Sequence, residues 1–258
     1  MYESFKIDAD KLKGFLNMQF GGQTIFMPNY ADGWKDYYDN LLKMTEGNNG
    51  VIDGGVLHNY VFPIDKDYDV FISYSHNDRH TARKLAFFLE NTCGLKVFLD
   101  EFVWGSADKL IAAIDEKYCY NEEKTSFVYR RRNLSTSYIH ALLSMSILDV
   151  ISRSECCIFI ESDNSLCLKD IKENTSTFSP WIYEEINYMN HLPKQSLHRT
   201  RYFTNSRELD EGLNFEIMLP VDVNGFHVLT KQALNYLRIY KGTRGLDYIY
   251  KLYERANI

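Results

Sequence analysis

At 258 residues the chain has the length of one large domain or two small ones. Its 45% hydrophobic, 15% aromatic and 25% charged residues fit a soluble globular protein and exclude disorder as the main state. The formal net charge is −6, with Lys and Arg scattered, which argues against a nucleic-acid partner because phosphate binding needs a concentrated basic face.

Apolar runs reach five residues (85–89 and 156–160), far short of the roughly 20 of a membrane span. The opening residues carry no cationic start followed by an apolar stretch. A cytoplasmic protein with no membrane partner is therefore expected. Five cysteines (93, 119, 156, 157 and 167) are an odd count with no CxxC spacing, consistent with reduced thiols filling a core.

In chain order, residues 1–66 read as an irregular, turn-rich extension packing on the main domain, broken at Gly21-Gly22, Pro28-Asn29, Asn48-Asn49-Gly50 and Asp53-Gly54-Gly55. Helical spacing is present within it near 10–19 and 33–44. From residue 67 the pattern changes. Residues 68–73 are a first β-rich run, followed by a polar turn and a helix with Ala82, Leu85, Ala86 and Leu89 on one face, for which Asn77 or Asp78 can serve as N-cap.

Residues 96–100 form a second strand and 107–117 a second helix with Leu110, Ile111 and Ile114 inward. The stretch 118–136 reads as an insertion, and Arg130-Arg131-Arg132 within it as a solvated loop in preference to a phosphate clamp. Another amphipathic helix runs through Ile139, Leu142, Leu143, Ile147, Val150 and Ile151. The third strand, 155–160, is apolar through its middle, as a strand covered on both faces should be. After 179–193 come weaker strands near 201–204 and 215–219, then a closing helix from about Lys231. Strands alternating with helices predict a three-layer α/β domain with a parallel sheet over 67–258.

Standard sites are missing from the sequence: it holds no GxGxxG, no GxxxxGK[ST] and no GxSxG. His76 and His80 have an i, i+4 spacing without a third ligand in register, so two surface histidines are expected and no metal. The informative segment is 179–193. Ser179 then Pro180 reads as N-cap and N1, and Pro193 marks the end. On this helix Ile182, Glu185, Ile186 and Met189 share one face, with Trp181 one turn before Glu185, while Glu184 projects toward solvent. A carboxylate on an apolar stripe costs several kcal/mol unless it is paired or opens onto a cleft. A salt bridge to a nearby cation, a helix slightly out of phase and a functional acid all fit this spacing.

Taken together, YDVFISYSHND at 68–78, KVFLDEF at 96–102 with Trp104-Gly105-Ser106 after it, ECCIFI at 155–160 and SPWIYEEI at 179–186 resemble Toll/interleukin-1 receptor (TIR) domains, and the prokaryotic enzymatic branch more than the animal receptors. The resemblance covers about 67–258 and implies a flavodoxin-like, five-stranded parallel sheet. Residues 101–107 would be the BB loop, which this family uses for self-association and for gating its pocket. In NAD-cleaving members a glutamate follows a Trp by four residues, which here matches Trp181 and Glu185. Further pocket positions implied are Ser73, Tyr74 and Ser75, Asp100 and Trp104, although an aromatic directly before the BB-loop glycine departs from the commoner form.

The function implied is an NAD+ nucleosidase that releases nicotinamide and gives ADP-ribose, a cyclic isomer or a conjugate. NAD+ would be its substrate and no cofactor would be needed. The setting implied is prokaryotic antiviral defence of the Thoeris type, with homotypic TIR assembly and an effector reached through the small-molecule product. A non-catalytic TIR scaffold, or a nucleoside-processing enzyme of similar architecture, are the alternatives.

Overall fold

The computed structural model describes residues 3–21, 34–46, 51–61, 67–99, 101–167, 175–192 and 218–256. Among these the strands are β1 (Glu3–Asp8), β2 (Val70–Ser73), β3 (Val97–Leu99), β4 (Cys156–Glu161), β5 (Ser176–Thr177), β6 (Leu219–Pro220) and β7 (His227–Val228). The α-helices are α1 (Ala9–Phe20), α2 (Trp34–Thr45), α3 (Gly54–Val61), α4 (Arg79–Phe87), α5 (Glu101–Tyr118), α6 (Tyr129–Arg153), α7 (Pro180–His191), α8 (Lys231–Tyr240) and α9 (Thr243–Ala256).

Five strands make one parallel sheet in the order β3-β2-β4-β1-β7, with helices on both faces. This is the expected three-layer, flavodoxin-like α/β architecture. The strand between β4 and β7 is the departure. A flavodoxin-like order fills the fourth place with a strand that follows the third in sequence. Here β1 fills it, from the start of the chain and inside the stretch expected to be irregular. Residues 3–8 are therefore part of the sheet. The weak strand expected near 201–204 lies outside the described residues. The one expected near 215–219 is present only as the short β6, paired antiparallel with β5.

Strands β2, β3 and β4 divide their side chains between two cores, as a period of two requires. Phe71, Cys157 and Phe159 face one core, shared with α2, α3, α5, α6 and α7. Phe5, Ile7, Val70, Ile72, Cys156, Ile158 and Ile160 face the other, shared with α1, α4, α8 and α9. Between α4 and β3 the chain makes a π-turn (Phe88–Thr92) and then Gly94 at φ 71°, while Gly242, at φ 58°, precedes α9. The two loops meet where the Gly242 N–H donates to the Cys93 carbonyl at 2.6 Å. Positive φ at both positions favours glycine.

Two expected loops are helical. Residues 101–107 open α5, with no proline to stop the helix and with Ala107, Leu110, Ala113 and Ile114 buried along it. In the stretch read as an insertion, a tight turn bridged by Tyr120 and Phe127 leads into α6, whose first turn holds the three arginines. The buried Asp115 of α5 accepts hydrogen bonds from Arg132 Nε at 2.8 Å and Ser135 Oγ at 2.6 Å, and Arg131 donates to the Tyr120 carbonyl. That ion pair anchors the start of α6 on α5. By length and composition α6 could cross a bilayer; here Ile139, Leu143, Ile147, Val150 and Ile151 bury one side of it in the core.

Candidate active site

Helix α7 begins as its sequence predicts. Ser179 is in extended conformation and its side chain accepts from the Ile182 N–H at 3.3 Å, with Pro180 in the first turn. Ile182, Glu185, Ile186 and Met189 are all buried, which fixes the helical phase that puts Glu185 on the inner face. Glu185 is 1% exposed. Glu184 is half-buried instead of fully solvent-facing, and accepts a hydrogen bond from Tyr188 one turn on.

Across from α7, β2 ends at Ser73. Ser73 shares a strand face with Phe71, so its side chain points toward the α7 side of the sheet. The Ser73 hydroxyl donates to Glu185 Oε2 at 2.6 Å. Strand order reverses between β2 and β4, because α4 carries the chain from β2 to β3 on one side while α5 and α6 carry it to β4 on the other. The carboxyl ends of strands at such a reversal are where open α/β sheets place their ligands.

The remaining predicted residues divide. Trp181, one turn before Glu185, is half-buried and meets the His140 ring of α6 edge-on, with centroids 5.0 Å apart. Tyr74 points the other way, into the core shared with α1, α4 and α8, so the structure does not bring it to Glu185. Ser75 is half-buried in the loop after β2, where its carbonyl accepts from the Asp78 N–H at 2.7 Å. Asp100 lies outside the described residues. Trp104 lies within α5, and its side chain is outside the described set.

Sequence reasoning missed a polar network beside this edge. Asp78, 3% exposed, is the N-cap residue of α4 as expected, but its side chain makes no cap hydrogen bond; its carboxylate accepts from Ser162 Oγ and from Asn164 Nδ2, the latter at 3.3 Å to Oδ1. Ser165 Oγ in turn donates to the Ile160 carbonyl at 3.1 Å. These bonds tie the loop after β2 to the loop after β4. The Ser-Asp-Asn-Ser run at 162–165, four turn-forming residues at the end of an apolar strand, is the signal that could have drawn attention to it.

Cys157, on the same strand face as Phe159, is no nucleophile: burial first, with the neighbouring Cys156 thiol and then Glu185, pushes its thiol well above the ordinary range. Among the described residues no group of three or more His, Cys, Asp or Glu could hold a metal, and both His76 and His80 are exposed. No known protein family, curated protein or solved structure matches the chain.

Proposed function

We propose that the protein is an NAD+ nucleosidase resembling prokaryotic TIR enzymes, with Glu185 as its catalytic carboxylate. The observation that supports this most is the placement of Glu185: a buried acid one turn after Trp181, bonded to the last residue of a central parallel strand at the strand-order reversal.

In the reaction, the bond between ribose C1′ and the pyridinium nitrogen breaks heterolytically. The electron pair stays on nitrogen, so a cation becomes neutral nicotinamide and no general acid is needed. That removes one of the two carboxylates of O-glycoside hydrolysis. Positive charge develops on the ribose as an oxocarbenium ion, and a fixed carboxylate in a low-dielectric site stabilises it. Water capture gives ADP-ribose and a proton that the carboxylate can accept; capture by an adenine nitrogen or a ribose hydroxyl of the same molecule gives a cyclic isomer.

The indole of Trp181 offers an aromatic edge for the nicotinamide or adenine ring. Because Glu185 is 1% exposed, ribose reaches it only when neighbouring side chains part, which fits an enzyme held quiet until it assembles or is signalled. A defensive role, with homotypic assembly and a downstream effector, belongs to the same proposal.

The test is nicotinamide release from NAD+ at high protein concentration and with crowding agents that promote assembly, followed by chromatography. Wild type releases nicotinamide, and Glu185→Ala lowers the rate by about 100-fold or more. Equal rates in the two proteins would overturn the assignment. Nicotinamide riboside and deoxynucleosides, run in parallel, separate a dinucleotide enzyme from a nucleoside-processing one.

A further inference from the structure

We propose that Ser73 is a positioning residue for Glu185, acting through the carboxylate and not on the substrate; this rests on the nucleosidase reading. Ser73 is 0% exposed, and its hydroxyl is committed to the Glu185 carboxylate. Its hydroxyl donates to Glu185 Oε2, 2.6 Å away, at the short end of O–H···O hydrogen bonds. The two residues are 112 positions apart, so only the fold brings them together.

The bond has a mechanical consequence. A glutamate side chain has three rotatable torsions, and helix phase fixes only where it starts. Strand β2 is hydrogen-bonded on both edges, to β3 and to β4, and so is a rigid mount. A donor fixed on that mount selects one orientation of the carboxylate plane, the orientation in which it faces the developing charge on the ribose. Without the donor, Glu185 is still present and still buried, but it loses the bond that ties its carboxylate to β2.

The experiment is a double-mutant cycle on nicotinamide release, combining Ser73→Ala with Glu185→Gln, beside Ser73→Cys as a near-isosteric weak donor and Ser73→Thr as a variant that keeps the hydroxyl. Thermal midpoints report folding for each. Loss of a hydrogen bond to a charged group corresponds to about 10- to 100-fold. We expect kcat to fall by that factor in Ser73→Ala and Ser73→Cys with KM within about 3-fold, and Ser73→Thr to recover most of it. In the Glu185→Gln background, Ser73→Ala changes the residual rate less than 2-fold, because the partner it orients is already gone.

Rates in Ser73→Ala and Ser73→Cys equal to wild type, while Glu185→Gln is inactive, would overturn the proposal and leave the nucleosidase reading standing. So would a loss in Ser73→Ala that is undiminished in the Glu185→Gln background, since that marks a merely structural role. An inactive wild type, or a fully active Glu185→Gln, removes the nucleosidase reading and the proposal with it. If Ser73→Ala fails to fold, Ser73→Cys carries the cycle.

Discussion

At the scale of single residues, the two buried acids beside the sheet edge do different work. Glu185 has its place because three apolar neighbours set the phase of α7, and that phase was readable from spacing alone. Its hydroxyl partner was not readable as a partner, since nothing in a linear sequence reports a hydrogen bond across 112 residues. Asp78 was visible as a helix-capping residue, the commonest use of aspartate at that position. The fold gives it a stronger set of partners in Ser162 and Asn164, and local propensity yields to them. Removing the Asp78 carboxylate takes away the acceptor shared by the Ser162 hydroxyl and the Asn164 amide and loosens the joint between two loops. Asp78→Ala is expected to lose about 1–3 kcal/mol of stability by urea unfolding. An unchanged midpoint would show that the network does not hold the loops.

At the scale of elements, the strands β2, β3 and β4 and the helix α7 were legible, because runs of β-branched and aromatic residues and a Ser-Pro helix start are strong local signals. Strand β1 was not. Its sequence, Glu-Ser-Phe-Lys-Ile-Asp, is apolar on one face alone, whereas a central parallel strand usually reads as apolar on both. Ser4 and Lys6 carry its other face, and the half-buried Lys6 pairs with Glu161 of β4 at 3.8 Å. What could have revealed it is the switch from period two at Phe5 and Ile7 to an Asp8-capped helix, whose side chain accepts from the Lys11 N–H. The difference is measurable. Phe5 is 0% exposed and packs against the rings of Tyr250, Tyr253 and His227. Phe5→Ala is expected to lower the unfolding free energy by about 3–5 kcal/mol in a single transition. A small loss would instead indicate a peripheral strand.

For the whole molecule, the two cores separated by one sheet hold thiols where no thiolate can be solvated. Burial pushes the thiols of Cys93 and Cys156 up to about 12 and that of Cys157 well above the ordinary 9.0. Cys93 lies in the joint before β3, and Cys156 and Cys157 lie on opposite faces of β4, so their ionisation would damage both cores at once. The sign follows from proton counts. Below pH 9 the thiols are protonated in both folded and unfolded chains, and their contribution is fully present. Between pH 9 and about 12 the unfolded chain has released these protons and the folded one has not, so stability falls as pH rises. Each such thiol removes about 1.4 kcal/mol per pH unit across that window. Thermal midpoints measured from pH 8 to 11 should therefore be level at first and then drop steeply. Cys93→Ala and Cys156→Ala, though less stable near neutrality, should each drop on a shallower slope, since each has one fewer proton to lose. Slopes parallel to wild type would mean that the buried thiols are not what limits the fold in alkali, and that tyrosine or lysine ionisation is.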